Sequence, residues 1–142
     1  MRAIKEAYQA LHAAQQNKAQ DASDIVIGYY VNVIYGLFEN LFARIATAFG
    51  NQIHDQAQWH TQLLHRMTLD VQDIRPSVIS REMYTALNEL RRFRHVFRNA
   101  YVLHFDPSRL QLVLDEAEQL EKIYEAEFNA FLSFLDKLIA ES

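Results

Sequence analysis

Turn-forming residues are scarce in this chain, and their scarcity limits the folds that it can adopt. Only three glycines and two prolines occur among its 142 residues. Chains built from β-strands need such turn residues far more often, so their scarcity predicts an all-α protein. The length is close to that of one ordinary domain, and a core of this size forms without a metal or a disulfide. We therefore expect one helical domain spanning residues 1–142.

Apolar residues spaced three or four positions apart predict five helices. The clearest stripe lies in the C-terminal third, where Asp106-Pro107 supplies an N-cap and a first helical residue. Its members are Val113, Ala117, Leu120, Tyr124, Phe128, Phe131, Leu135 and Leu138. An earlier helix, which Gly50-Asn51 ends, is apolar almost all round and is therefore expected to be the central, most buried element. Its stripe consists of Tyr30, Ile34, Leu37, Leu41, Ile45 and Ala48.

Three further helices complete an up-and-down bundle of four main helices and a short one. They are expected at about residues 3–16, at about residues 56–68 and, after an irregular stretch around Arg75-Pro76, at residues 81–104. The apolar side of the first consists of Ile4, Tyr8 and Leu11. Ser80 can cap the last, because a serine before a helix accepts a hydrogen bond from the first turn.

Several kinds of site are not expected. The chain has no cysteine, so it forms no disulfide, thiolate nucleophile or cysteine-ligated zinc site. His54, His60 and His65 lack the i,i+4 spacing of helical metal ligands, and no glycine-rich phosphate loop occurs, so we expect no metal and no cofactor. The most apolar run, residues 25–38, is shorter than the roughly 20 residues that span a bilayer. The N-terminal residues lack an apolar export signal. We expect a cytoplasmic protein with no membrane anchor.

Charge is distributed unevenly along the chain. The net charge is only −4, but residues 75–109 contain seven arginines and three acids, a local +4, whereas residues 110–142 contain two lysines and eight acids, a local −6. Guanidinium groups bind phosphate through two parallel hydrogen bonds and tolerate partial burial. The basic segment therefore favours a phosphate-bearing partner or an acidic protein surface. The alternative is that these arginines pair with glutamates of neighbouring helices.

Helical geometry places part of this basic segment in one row. At about 100° per residue, four side chains fall within a sector of about 80°, beside the apolar sector of Leu90, Phe93 and Phe97. The row consists of Arg91, Arg94, Arg98 and Tyr101. A charged row beside an apolar seam is costly unless it meets acids, an anion or a second subunit, so a groove or a dimer interface is expected there.

The string from Arg94 to Tyr101, RHVFRNAY, resembles the motif of the HEPN superfamily and, within it, of HepT-like proteins from prokaryotic toxin–antitoxin pairs. HEPN domains are small helical bundles that usually dimerise and place two copies of an Arg-x(4–6)-His motif in one cleft. The resemblance implies metal-independent RNA cleavage, in which histidine transfers a proton and arginine stabilises the charge that develops on phosphorus. It also implies a homodimer whose cleft both copies form.

Two registers of the motif fit the chain. In the HepT form, Arg-x4-His-x-Tyr, the matching residues are Arg94, Asn99 and Tyr101, so asparagine replaces the histidine and cannot transfer a proton. In the broader form, Arg98 and Asn99 are followed by His104, which becomes the acid–base candidate. The alternative for His104 is to bind the last carbonyls of its helix.

The candidate residues then have these roles. Arg94, Arg98, Asn99 and His104 are the candidate catalytic residues, and Tyr101 is the residue that the resemblance marks for modification with AMP. Arg91 and His95 are candidates for binding phosphate or RNA. His95 projects about 100° away from Arg94 on an ideal helix.

Three functions stay open at this point. The first is a HepT-like ribonuclease acting on RNA, with tRNA the foremost substrate, held in check by a minimal nucleotidyltransferase (MNT-type) antitoxin. The second is a HEPN-fold binding module that has lost nuclease activity and pairs with a nucleotidyltransferase. The third is a purely structural helical bundle. Asn99 favours the second function, whereas Arg98 with His104 favours the first.

Overall fold

The structure is a computed structural model, and it describes residues 1–16, 22–49, 58–99 and 107–141. These residues form five helices and, apart from one isolated bridge between Val71 and Arg75, no β-structure. The helices are α1 (Arg2–Gln16), α2 (Ala22–Ala48), α3 (Trp59–Arg66), α4 (Arg81–Asn99) and α5 (Pro107–Glu141). The prediction of an all-α bundle with four main helices and a short one is confirmed.

Contacts between side chains show how the long helices run. Lys5 of α1 pairs with Glu125 of α5, and His12 pairs with Glu121, so these two helices are antiparallel. The rings of Phe38 and Tyr124 lie 5.5 Å apart, and those of Phe49 and Phe131 lie 6.3 Å apart, so α5 runs parallel to α2. These are the directions of an up-and-down bundle.

α2 is the central helix, as predicted, and it contacts the other four. Its buried face differs from the predicted stripe. Of the six predicted residues, Ile34 is buried, four are partly buried and Ala48 is exposed. The fully buried face consists of Ile27, Val31, Ile34, Tyr35, Phe38, Phe42 and Ala46. The prediction chose the wrong face because a helix that is apolar almost all round gives little contrast between its sides.

The length and composition of residues 24–48 would allow this helix to cross a membrane. That signal is weak, because the central helix of a compact bundle has the same composition. Here Val31, Ile34 and Phe38 have no exposed surface. One face of the helix is thus buried by the rest of the bundle.

Local signals set the start of α4. The hydroxyl of Ser80 accepts a hydrogen bond from the backbone N–H of Met83 over 3.1 Å, which is the predicted N-cap. Glu127 of α5 accepts hydrogen bonds from the backbone N–H and the hydroxyl of Ser80, both over 2.6 Å. The cap therefore fixes α4 against α5 as well as starting it.

The stripe on α5 is buried from Val113 to Phe131, as predicted, but not beyond. Leu135 is only partly buried, and Leu138 is 43% exposed. The reason is that α2, which runs parallel to α5, ends at Ala48, and Phe49 already packs against Phe131. The last turns of α5 have no α2 beside them.

α2 and α4 approach each other closely at a glycine. A Cβ atom at Gly28 would lie 3.0 Å from Cε2 of Phe97 and 3.2 Å from Cζ of Phe93. The absence of a side chain at Gly28 therefore lets both rings lie against α2. This approach also brings Arg94, on the same helix, to the middle of α2.

Candidate functional site

The centre of the site is a buried carboxylate. Glu39, on the otherwise apolar middle of α2, has a side chain only 8% exposed. Nη1 of Arg94, from α4, donates a hydrogen bond to Oε1 of Glu39 over 3.2 Å. A buried carboxylate is costly unless it is paired, and the guanidinium supplies both charge and a donor. Arg94 thus meets an acid of its own chain, as the alternative interpretation of the basic segment predicts.

A histidine from a third helix shares the same carboxylate. Nδ1 of His60, near the start of α3, lies 2.5 Å from Oε2 of Glu39. The carboxylate accepts hydrogen bonds, so Nδ1 is the nitrogen that carries the proton. The His60 ring makes an edge-to-face contact with the Trp59 ring, and the His60 side chain is 50% exposed. One carboxylate therefore joins α2, α3 and α4.

Tyr35 completes this group, one turn before Glu39 on α2. The guanidinium carbon of Arg94 lies 5.8 Å from the centre of its ring, within the range of a cation–π contact. Burial raises the pKa of the Tyr35 hydroxyl well above its usual value, and the charge of Glu39 and a hydrogen bond to it raise it further. The Tyr35 side chain is therefore uncharged and lines one side of the site. We call Tyr35, Glu39, His60 and Arg94 the Glu39 cluster.

The cluster holds the Arg94 guanidinium in one orientation. The Glu39 carboxylate binds one end of the guanidinium, and the Tyr35 ring lies against the guanidinium. The Arg94 side chain is 22% exposed. Nε of Arg94 is buried and has no hydrogen-bond partner within the described residues. A fixed cation of this kind can stabilise negative charge without first reorganising, which is the electrostatic arrangement that phosphate chemistry needs.

The other predicted binding residues lie near but outside the cluster. Arg91 donates from Nε and Nη2 to Oδ1 of Asn88 on its own helix, over 3.1 and 2.9 Å. Its charge lies close enough to Tyr35 to lower the pKa of that hydroxyl, against the rise caused by burial. His95 is exposed and faces away from the Glu39 contact that Arg94 makes on the same helix. The charges of Arg91 and Arg94 therefore both act on Tyr35.

Four predicted residues cannot be placed. Arg98 and Asn99 belong to the last turn of α4, but their side chains are outside the described part of the structure. Tyr101 and His104 lie outside the described residues altogether. Their roles in the two registers stay predictions.

One arginine of the basic segment has a structural role. Arg75 is buried, and its guanidinium donates to the backbone carbonyls of Arg66, Leu69 and Pro76 over 3.1 Å each. Burial lowers the pKa of Arg75. It holds the irregular stretch before α4 together and does not belong to a phosphate-binding surface.

The apolar sector beside the arginine row is covered within the chain. Leu90 has no exposed surface, and Phe93 packs against the core. The rings of Phe93 and Phe97 lie against Gly28 of α2. Much of this sector is therefore packed against the rest of the chain, with Phe93 and Phe97 partly buried.

Sequence reasoning missed three members of the cluster. Glu39 carried a signal, because it is the first acid after a long apolar run in the most buried helix and so requires a partner. His60 was considered only as a metal ligand, and Tyr35 not at all. Within the described residues, no group of three His, Cys, Asp or Glu side chains could hold a metal ion.

Comparison with known proteins agrees with this architecture. The family model described as HepT-like protein matches residues 26–135, which contain all of α3 and α4, most of α2 and α5, and the whole Glu39 cluster. No curated protein and no solved structure matches the chain. The match covers more than half of the chain and includes the Arg94 motif from which the resemblance was recognised. The chain therefore belongs to the HepT-like family of the HEPN superfamily.

Proposed function

We propose that this protein is the HepT-like component of a toxin–antitoxin system and cleaves RNA without a metal ion. The observation that carries the proposal is that Arg94, the arginine of the family motif, is fixed by a buried carboxylate and an aromatic ring. An arginine held in this way is suited to stabilising the charge that develops on a phosphate during cleavage. The proposed location is the cytoplasm, where RNA is available.

The proposed active form is a homodimer in which two copies of the motif share one cleft. Its partner is a minimal nucleotidyltransferase (MNT-type) antitoxin that modifies Tyr101 with AMP. Arg98 and Arg91 bind the RNA backbone in this proposal, with His95 at the edge of the same surface. His104 is the proton-transfer group in the register that contains Arg98 and Asn99.

Incubating the purified protein with tRNA in the presence of EDTA tests the proposed function. We expect cleavage to persist in EDTA and the products to end in 2′,3′-cyclic phosphate. Arg94→Ala and Arg98→Ala should each reduce cleavage by about 100-fold or more. Arg98→Ala should also weaken RNA binding and flatten its salt dependence, because one phosphate contact is lost. Intact tRNA after hours with wild-type protein would contradict the proposal.

A binding module without nuclease activity is the second candidate. The Arg94–Glu39 pair favours it, because the charge of Arg94 is already compensated inside the chain. Asn99, in the position of the motif histidine, favours it as well. In that case the protein should bind its nucleotidyltransferase and accept AMP on Tyr101 but leave RNA uncut. Mass spectrometry after incubation with the partner and ATP, with Tyr101→Phe as the control, measures this.

A further inference from the structure

The Glu39–His60 pair has the geometry of a positioned proton-transfer group. The Nδ1 proton of His60 is directed at a buried carboxylate, which fixes the tautomer and the plane of the ring. In the neutral ring the other nitrogen, Nε2, is then the acceptor, and it makes no hydrogen bond within the described part of the chain. Half of the side chain is exposed. A carboxylate bound to one nitrogen also stabilises the imidazolium that forms when the other accepts a proton.

The position of His60 matters because α4 has no proton-transfer group at position 99. In the register that makes Arg94 the motif arginine, the HepT form of the motif needs a proton-transfer group at position 99, but the chain has Asn99 there, and an amide cannot transfer a proton at neutral pH. The same carboxylate that orients His60 through Oε2 binds Arg94 through Oε1. The imidazole of His60 and the guanidinium of Arg94 thus bind the two oxygens of the same carboxylate.

We propose that Arg94 is the motif arginine and that His60, oriented by Glu39, is the general base that acts with it on RNA, in place of the histidine absent at position 99 and instead of His104. This inference rests on the proposed ribonuclease function. Glu39 is a positioning residue in it, whereas His60 and Arg94 contact the substrate.

The step can be written in full. Nε2 of His60 accepts the proton of a ribose 2′-hydroxyl, and the 2′-oxygen forms a bond to the adjacent phosphorus. The bond from phosphorus to the 5′-oxygen of the next nucleotide breaks, and that oxygen takes a proton from water. Arg94 stabilises the additional negative charge on the phosphate oxygens during the transfer. The products are a 2′,3′-cyclic phosphate and a free 5′-hydroxyl.

A second histidine–glutamate pair in the chain provides a matched comparison. Nε2 of His12, on α1, lies 2.9 Å from Oε1 of Glu121 on α5. The carboxylate of that pair is 34% exposed, against 8% for Glu39, and no arginine pairs with Glu121 within the described residues. The His12 pair thus has the same two residue types without the burial and without the motif arginine.

The decisive experiment compares His60→Gln, His60→Ala and His12→Gln in tRNA cleavage and tRNA binding. Glutamine can still donate to Glu39 but cannot transfer a proton, so His60→Gln should lose about 100-fold or more in cleavage rate with little change in RNA affinity. Free imidazole should restore part of the activity of His60→Ala. His12→Gln should cleave at the wild-type rate. Thermal unfolding of each variant shows whether it is folded.

The outcomes separate this inference from the proposed function. If His60→Gln cleaves tRNA as fast as the wild type, the base is another residue and the inference is wrong, while the ribonuclease function stands. If both His60 variants are inactive and imidazole restores nothing, His60 supports the structure only, and the inference fails. If wild-type protein cleaves no RNA, the ribonuclease function and the inference fail together.

Discussion

Removing the carboxylate of Glu39 is the most informative perturbation of this fold. Glu39→Ala leaves the Arg94 guanidinium, whose side chain is only 22% exposed, without its charged acceptor. It also leaves Nδ1 of His60 without a partner. The variant therefore loses these two hydrogen bonds and the one with Tyr35, and it places an uncompensated cation against the core.

The size of the effect follows from the burial of the partners. Breaking a fully buried ion pair by removing one member costs about 3–5 kcal/mol, whereas exposed pairs contribute about 0–1 kcal/mol. Arg94 is mostly but not wholly buried, and His60 is half exposed. We expect Glu39→Ala to lower the free energy of unfolding by about 2–4 kcal/mol. At about 3 °C per kcal/mol for a domain of this size, the melting temperature should fall by about 6–12 °C.

Urea unfolding followed by circular dichroism measures this change, and two variants serve as controls. Glu39→Gln keeps the shape, and its amide can accept from Arg94 and donate to Nδ1 of His60, so it should cost only about 1–2 kcal/mol. Glu121→Ala removes the more exposed carboxylate of the His12 pair and should cost at most about 1 kcal/mol.

A double-mutant cycle with Arg94→Met isolates the pair itself. We expect a coupling free energy of about 1–3 kcal/mol between Glu39 and Arg94. Coupling below about 0.5 kcal/mol, together with a loss of stability in Glu39→Ala no larger than that in Glu121→Ala, would show that the pair contributes little to stability. The pair would then be screened by water, and the Glu39 cluster would not fix Arg94.

Three further predictions follow from the packing of the helices. Gly28→Ala should destabilise the protein by about 1–3 kcal/mol, because its Cβ would lie 3.0 Å from the Phe97 ring. Gly36→Ala should be neutral or stabilising by up to about 1 kcal/mol, because its Cβ meets only Nη1 of Arg94 at 3.9 Å. Chemical denaturation of both variants measures the difference. Ser80→Ala should lower the free energy of unfolding by about 1–2 kcal/mol, since the hydroxyl caps α4 and donates to Glu127. Thr85→Ala, on the exposed side of the same helix, is the control. Burial raises the pKa of Tyr8 and Tyr35 above the unfolded value of about 10, so their contribution to stability is complete below about pH 10 and is lost as pH rises towards the folded pKa. The free energy of unfolding should therefore fall by about 1 kcal/mol per pH unit for each tyrosine above about pH 10, and Tyr8→Phe should make that fall shallower; an equal slope in the variant would contradict the assignment.

The local sequence predicted much of the fold because the relevant interactions join residues a few positions apart. Ile4, Tyr8 and Leu11 of α1 are buried as their spacing indicates, and α5 begins at Pro107. Ser80 caps α4 through a residue three positions later. The family, too, follows from the short string RHVFRNAY, and the match over residues 26–135 confirms it.

The buried face of α2 was beyond the reach of the sequence. Spacing identifies a face only where apolar and polar sides differ, and α2 has apolar residues on nearly every side. Which side is buried depends on where α1, α4 and α5 pack, and that is decided by the shapes of all four helices together. Gly28 illustrates the point, because its role is visible only when Phe97 lies 3.0 Å from the position of its missing Cβ.

The composition and periodicity of the chain thus determined an all-α bundle, and the string around Arg94 determined its family. The groups that Arg94 contacts depend on the packing of the helices, because its partners come from other helices. Glu39 lies 55 positions before it in the sequence, and His60 lies 21 positions after Glu39. No spacing rule joins residues so far apart. They meet because burying a carboxylate in the core requires a cation and a donor beside it, and the packing of α3 and α4 against α2 supplies both.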